Sequence, residues 1–371
     1  MKRRILLLII LTFIGVFFAR GFFETKIEKH KVLNVSNNPL SQKKLQHKEA
    51  LSWKPEQQKV LIGYVQDFRS PDSIDYQAFS HLIFSFAHPT KDGSFILNGD
   101  QALTNLRSVV SKAKSSHTKV LLAVGGWFHL QGGEAYPYFQ SAISNDSTRS
   151  RLVEELIKIV EAEQLDGIDV DFEHPRTVQD AENLEQFIKQ LSDQLHPLNK
   201  QVTVAVHAKI HAGTLTEAHF VKYAPEMFKY VDYVNIMAYD GQWDGGYNAA
   251  NLSPLPFTEK IVSYWSNLFQ SLKLPTERLI LGVPSYAQPE DPATKQLSYQ
   301  TLLEYDPANA NRDSTFINGT TYHYNSDATI QRKTSLALSS GFGGMMLWEV
   351  GLDAKGSQSL TSAIFEVLEN T

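Results

Sequence analysis

The sequence predicts an α/β protein folded as a (β/α)8 barrel, or TIM barrel, in a single domain over residues 58–371. Three observations lead there. Short β-branched or aromatic runs alternate with stretches of helical periodicity eight times. No Gly-rich phosphate loop follows the first run, which argues against an open doubly wound sheet. The fourth run ends in a row of acids, at the strand end where a barrel keeps its chemistry.

Ahead of the barrel, Met1-Lys2-Arg3-Arg4 and the apolar run Ile5 to Phe18 read as the charged and hydrophobic regions of an export signal. The run is shorter than the roughly 20 apolar residues of a membrane span, and Ala19-Arg20-Gly21 offers small residues for cleavage. Residues 1–21 are therefore expected to be a signal peptide, or alternatively an uncleaved anchor, on a secreted or periplasmic protein. Residues 22–57 are rich in Lys, Gln, Asn, Ser and His and read as a low-order linker, with a peripheral helix around Leu45 to Trp53 as the alternative.

The expected strands are Val60 to Val65, His81 to Ala87, Lys119 to Val124, Gly167 to Glu173, Val202 to Ala208, Tyr233 to Tyr239, Arg278 to Pro284 and Gly343 to Glu349. Between the third and fourth, Leu152, Val153, Leu156, Ile157 and Val160 fall at helical intervals. After the fourth, Leu184, Phe187, Ile188, Leu191 and Leu195 do the same, and Thr177 with Asp180 suits that helix's start. The chain contains no cysteine, which excludes a disulfide framework and lipidation at cysteine. Its net charge of -5 carries no long basic or acidic block, which points away from nucleic acid and toward a neutral substrate.

In the fourth strand, Asp169, Asp171 and Glu173 are spaced by two, so an extended backbone turns all three to one face while Ile168, Val170 and Phe172 take the other. Buried acids lose hydration and repel one another, so such a row is kept for a task. Paired carboxylates at a strand end suit hydrolysis of a sugar bond, with Glu173 as proton donor and Asp171 and Asp169 sharing a proton beneath it. Trp348 and Trp127, at strand ends, suit sugar stacking; Trp243 suits an outer platform, and Trp265 suits the core. Met237 and Asn235 share the parity of Tyr239; Met237 is expected in the pocket wall, and Asn235 is left without a role. Asp166, of opposite parity to the acids, reads as a structural hydrogen-bonder, His207 as a satisfied core group, and Gly125 and Gly126 as points of close backbone approach.

The motif Asp166-Gly-x-Asp-x-Asp-x-Glu173 resembles the signature of the glycoside hydrolase family 18 chitinases. The likeness extends to Gly63-Tyr64, Phe86-Ala87, Gly125-Gly126-Trp127, Met237-Ala-Tyr239-Asp240 with Gly241, Trp243-Asp244 and Ser253-Pro254-Leu255, and Gly343-Gly344-Met-Met346-Leu-Trp348 with Asp353. The resemblance implies retaining, substrate-assisted hydrolysis of β-1,4-linked N-acetylglucosamine polymers, in which the sugar's own acetamido oxygen attacks its anomeric carbon. On that pattern Glu173 is acid and then base, Asp171 holds the acetamido N–H, Asp169 supports Asp171, and Tyr239 donates to the acetamido oxygen. Asp240, Met237, Trp348, Trp127, Trp243, Gly126 and Tyr64 would line the substrate. No metal, organic cofactor or obligate protein partner is implied, and a monomer is expected. Many relatives insert a small α+β subdomain between strands seven and eight, here Ala287 to Gly341; the segment is short or rudimentary, with Leu297-Ser-Tyr299 and Thr321-Tyr322-His-Tyr324 as remnants, which implies an open groove and endo cleavage. Two departures stand out: His207, where the family usually has proline nearby, and Ala123, where many relatives carry serine. The rival readings are a β-N-acetylglucosaminidase acting on peptidoglycan or N-glycans, a chitin-binding lectin-like barrel, and a metal-dependent phosphodiesterase.

Overall fold

The computed structural model describes residues 59–370; the expected export segment (1–21) and linker (22–57) lie outside the described residues. The strands are β1 (Val60–Gln66), β2 (His81–Pro89), β3 (Phe95–Ile96), β4 (Lys119–Gly125), β5 (Gly167–Asp171), β6 (Gln201–His207), β7 (Tyr233–Met237), β8 (Leu279–Pro284), β9 (Tyr286–Pro289), β10 (Leu297–Ser298), β11 (Ser314–Ile317), β12 (Thr320–His323) and β13 (Gly344–Trp348). Eight of them form a closed parallel barrel in the order β1-β13-β8-β7-β6-β5-β4-β2, with β1 pairing back onto β2. These are the eight runs expected from the sequence.

The helices are α1 (Gly99–Lys114), α2 (Tyr136–Ile143), α3 (Asp146–Ala162), α4 (Val178–Leu195), α5 (Leu255–Ser271), α6 (Tyr299–Tyr305), α7 (Asp327–Ser339) and α8 (Leu360–Leu368). The alternation is less regular than the sequence suggests. Between β1 and β2 the described chain crosses on two 3-10 turns, Pro71–Ser73 and Tyr76–Ala78, and between β6 and β7 on one, Pro225–Lys229. Where the apolar period is strong, the helices are long. Leu152, Val153, Leu156 and Val160 bury one side of α3, and α4 begins with a full capping box between Thr177 and Asp180.

Strand parity sorts the core into two layers. Val60, Ile62, Tyr64, Ile83, Leu121, Ala123, Ile280 and Met346 fill the barrel interior. Outward-facing Leu61, Ile168, Val170, Val204, Ile236, Leu281 and Leu347 belong to the larger cluster under the helices. Trp265 on α5 is fully buried there, its indole N–H donating to the Ala208 carbonyl at 3.3 Å.

The insertion is better formed than the sequence indicates. Residues 286–323 carry a four-stranded antiparallel sheet, β10-β9-β12-β11, together with α6. Leu297–Tyr299 and Thr321–Tyr324, the stretches singled out in the sequence, contribute to β10, α6 and β12. The sheet is small but continuous, because β9 runs on from the barrel strand β8 and pairs on both sides.

Candidate active site

The acids lie as their spacing requires, with one change at the edge. Strand β5 ends at Asp171, so Glu173 stands just past the last paired residue. Two glycines make this geometry fit. Gly125 has φ +121°, and a Cβ there would lie 2.1 Å from the Asp171 carbonyl oxygen. Gly126 (φ +86°) donates its N–H to that same oxygen at 2.9 Å. Gly126 thus serves the site through its backbone, against the Phe86 ring.

Asp169 is fully buried and holds three donors. Tyr64 donates at 2.7 Å to one oxygen; Thr203 at 2.5 Å and the Asn235 amide at 3.1 Å donate to the other. Burial raises its pKa, and the three hydrogen bonds oppose the rise. Tyr64, expected at the substrate, is corrected by this arrangement. It is buried at the bottom of the row, and its hydroxyl is committed to Asp169 and approached by Asn235. Asn235 thereby acquires a place in the network.

Asp171 lies above, almost fully buried, and its Oδ1 has no hydrogen-bond partner among the described residues. Burial first, then the charges of Glu173 and Asp169, push its pKa well above the carboxylate range. Glu173 opens partly to the cleft. Burial and then Asp240 raise its pKa from 4.5 to about 8, so at neutral pH it holds the proton an acid must give.

Across the barrel, Tyr239 is buried with its hydroxyl 3.8 Å from the Met346 sulfur. Burial and the surrounding acids hold the phenol well above its usual pKa, which keeps it a donor. Gly282 makes room for this ring: a Cβ there would stand 3.0 Å from it. Asp240 follows in a left-handed conformation (φ 62°) and accepts from Tyr286 at 2.6 Å and Gln242 at 3.0 Å. It opens onto the cleft, yet neighbouring protein around its carboxyl raises the pKa while those two hydrogen bonds oppose it. Met237 is part-buried against the interior cluster.

Trp348 is half-buried, edge-on to Tyr64 at 5.4 Å and beside Phe86 at 5.9 Å. Trp127 (52%) and Trp243 (45%) are exposed. Trp127 meets His174 edge-on at 5.1 Å, and Trp243 packs on Tyr247 at 4.7 Å. His207 is not alone: its ring lies 5.7 Å from that of His174, which follows Glu173, and 5.2 Å from Phe220. Burial keeps both histidines neutral, at about 3 for His207 and about 4 for His174. Asp166 accepts from the Val120 N–H at 2.8 Å, the structural role its parity indicated.

Thr203, Tyr286, Gln242 and His174 were not singled out by the sequence. Thr203 shares inward parity on β6, but only the register, which sets it directly beside Asp169, shows its use. Tyr286 belongs to the insertion, and nothing local in the sequence points it at Asp240.

A family model described as Glycosyl hydrolases family 18 matches residues 53–353. The chain belongs to this family. Among its relatives, Probable chitinase 2 of Drosophila melanogaster is 25% identical, with 81% of this chain and 73% of that protein covered. Endochitinase 1 of Metarhizium anisopliae is 24% identical over 78% of this chain and 79% of its own length. The crystal structure of the family 18 chitinase ChiB from Flavobacterium johnsoniae superposes with a TM-score of 0.70 at 25% identity, covering 85% of this chain and 95% of that one. A chitinase-like agglutinin from Robinia pseudoacacia shares the fold at 18% identity and TM-score 0.68, over 83% of this chain and 99% of its own. Fold and family thus make the protein a chitinase-like glycosidase barrel. The Ala123 departure also has a local counterpart, since Ala123 and Thr203 flank Asp169 on either side and the threonine supplies a hydroxyl.

Proposed function

We propose that this protein hydrolyses β-1,4-linked N-acetylglucosamine polymers, chitin and chitooligosaccharides, with retention and by substrate-assisted catalysis. One observation carries the reading: Glu173, whose pKa is raised by burial and Asp240, stands at the cleft in line with Asp171, whose buried Oδ1 has no hydrogen-bond partner among the described residues, and with Asp169, which is held by three donors. Glu173 gives its proton to the glycosidic oxygen as the C1–O bond breaks. The acetamido oxygen of the same sugar closes on C1, forming an oxazolinium ion. Asp171 accepts the acetamido N–H, and Tyr239 donates to the acetamido oxygen. Glu173, now a carboxylate, takes a proton from the water that opens the ring, and the sugar leaves with its original anomeric configuration.

Trp348 floors the pocket of the reacting sugar, and Asp240 and Met237 border it. Exposed Trp127 and Trp243 extend the aromatic surface along the groove. An insertion of one small four-stranded sheet and one short helix fits internal cleavage along an open groove. The basic and then apolar N-terminus supports export to where such a polymer would be met.

The test pairs wild type and Glu173→Gln on acetylated and deacetylated chitooligosaccharides. The variant is expected to bind but to lose at least about a thousandfold in kcat. Deacetylation in the cleaved unit is expected to abolish turnover. Inverted anomers by proton NMR, or equal cleavage of both substrates, would overturn the mechanism. Binding without hydrolysis by the wild type would favour the lectin reading.

A further inference from the structure

Lys333, on α7, is fully buried; among the described residues no carboxylate lies within ion-pair distance of it, and Asp313 favours its charge only from farther off. Its ammonium donates to the Ser253 carbonyl at 2.5 Å, to the Ser253 hydroxyl at 2.6 Å and to the Asn325 side-chain oxygen at 2.7 Å. Three donors meet three neutral acceptors. Such a group is costly to bury with no carboxylate in contact, and methionine would fill the same space without that cost. What it holds explains its presence.

Ser253 lies on the loop that follows Tyr239 and Asp240, and its hydroxyl donates to the Ala238 carbonyl at 2.6 Å. With that proton spent on Ala238, the serine oxygen is oriented to accept from Lys333. The same loop closes on the site a second time, where Gly241 N–H meets the Leu252 carbonyl at 3.3 Å. There is no slack at this contact: a Cβ on Gly241 would lie 2.6 Å from the Asn251 carbonyl oxygen. Asn325, which leads from the insertion into α7, donates in turn to the Ser253 carbonyl at 3.1 Å. Three segments therefore meet at one amine: the loop after β7, the end of the insertion, and α7.

We infer that Lys333 is a positioning residue, clamping Ser253 so that its hydroxyl fixes the Ala238 carbonyl and, through it, Tyr239 and Asp240. Its kinetic consequence rests on the hydrolase reading above; its structural consequence does not. A shift of Tyr239 affects the acetamido oxygen most as charge develops on the sugar, so the clamp acts on turnover more than on binding.

The experiment compares wild type, Lys333→Met, Ser253→Ala and the double variant in the full chain. Each single variant is expected to lower kcat on chitooligosaccharides about tenfold or more while KM changes less than about threefold. The double variant should be no worse than the poorer single by more than about twofold, because both act through one contact. Without substrate, amide exchange at residues 238–241 should speed up at least about tenfold in Lys333→Met. A Lys333→Met protein with a cooperative melt, kcat within twofold of wild type and unchanged exchange at 238–241 would overturn the inference. If Lys333→Met does not fold, Ser253→Ala decides by the same two measurements. If the wild type cleaves no chitooligosaccharide, the hydrolase reading fails, and the exchange measurement still decides the clamp.

Discussion

Replacing Glu173 with glutamine should stabilise the protein at alkaline pH, and the effect can be sized from the site. Burial, followed by the charge of Asp240, raises the Glu173 pKa from 4.5 to about 8. A carboxyl with a folded pKa above its unfolded value binds its proton more tightly in the native state. Its contribution to stability is therefore intact below about pH 4.5 and lost as pH climbs through 8. At about 1.36 kcal/mol per pKa unit, a rise of that extent corresponds to about 5 kcal/mol. The side chain is only 20% exposed, so solvent screening removes little of it. Part of the penalty is shared with Asp171, whose pKa is also raised by Glu173. Glutamine keeps the shape of the protonated acid and never ionises. Guanidinium denaturation of both proteins across pH 4 to 9 should show similar stability at the acid end, with the variant ahead by about 3–5 kcal/mol at the alkaline end. A difference that stays constant with pH would refute the reasoning, because Glu173 would then titrate alike in folded and unfolded chains.

Gly125→Ala should lower stability by about 2–5 kcal/mol in thermal melts, since the added carbon meets the Asp171 carbonyl at 2.1 Å in a left-handed backbone. Tyr64→Phe and Thr203→Val each remove one hydrogen bond from buried Asp169. Each should cost about 1.5–3 kcal/mol of transition-state stabilisation, read mainly as a fall in kcat with little change in KM. Asp353→Ala strips the start of α8 of an acceptor for the Leu360 and Thr361 N–H groups and the Thr361 hydroxyl. Stability should fall by about 2–3 kcal/mol while turnover per folded molecule holds, as measured by calorimetry and an active-site-normalised assay.

The fold and the acid row were legible in the sequence because both are written in short-range periodicity. A period of two on β5 separates Asp169 and Asp171 from Ile168 and Val170 whatever the strand pairs with, and the helical period of residues 152–160 makes α3 amphipathic by itself. Turn chemistry was equally local, as in the Thr177–Asp180 capping box and the glycines beside Asp171. Tertiary structure decided which neutral groups serve the acids. Thr203 reaches Asp169 through strand register, Tyr286 reaches Asp240 from the insertion, and Lys333 reaches Ser253 from a helix far along the chain. It also moved Tyr64 from the substrate to the base of the acid row. Alternation along a strand says which way a side chain points, but barrel closure alone determines what it meets there, because that depends on how distant segments align across the sheet.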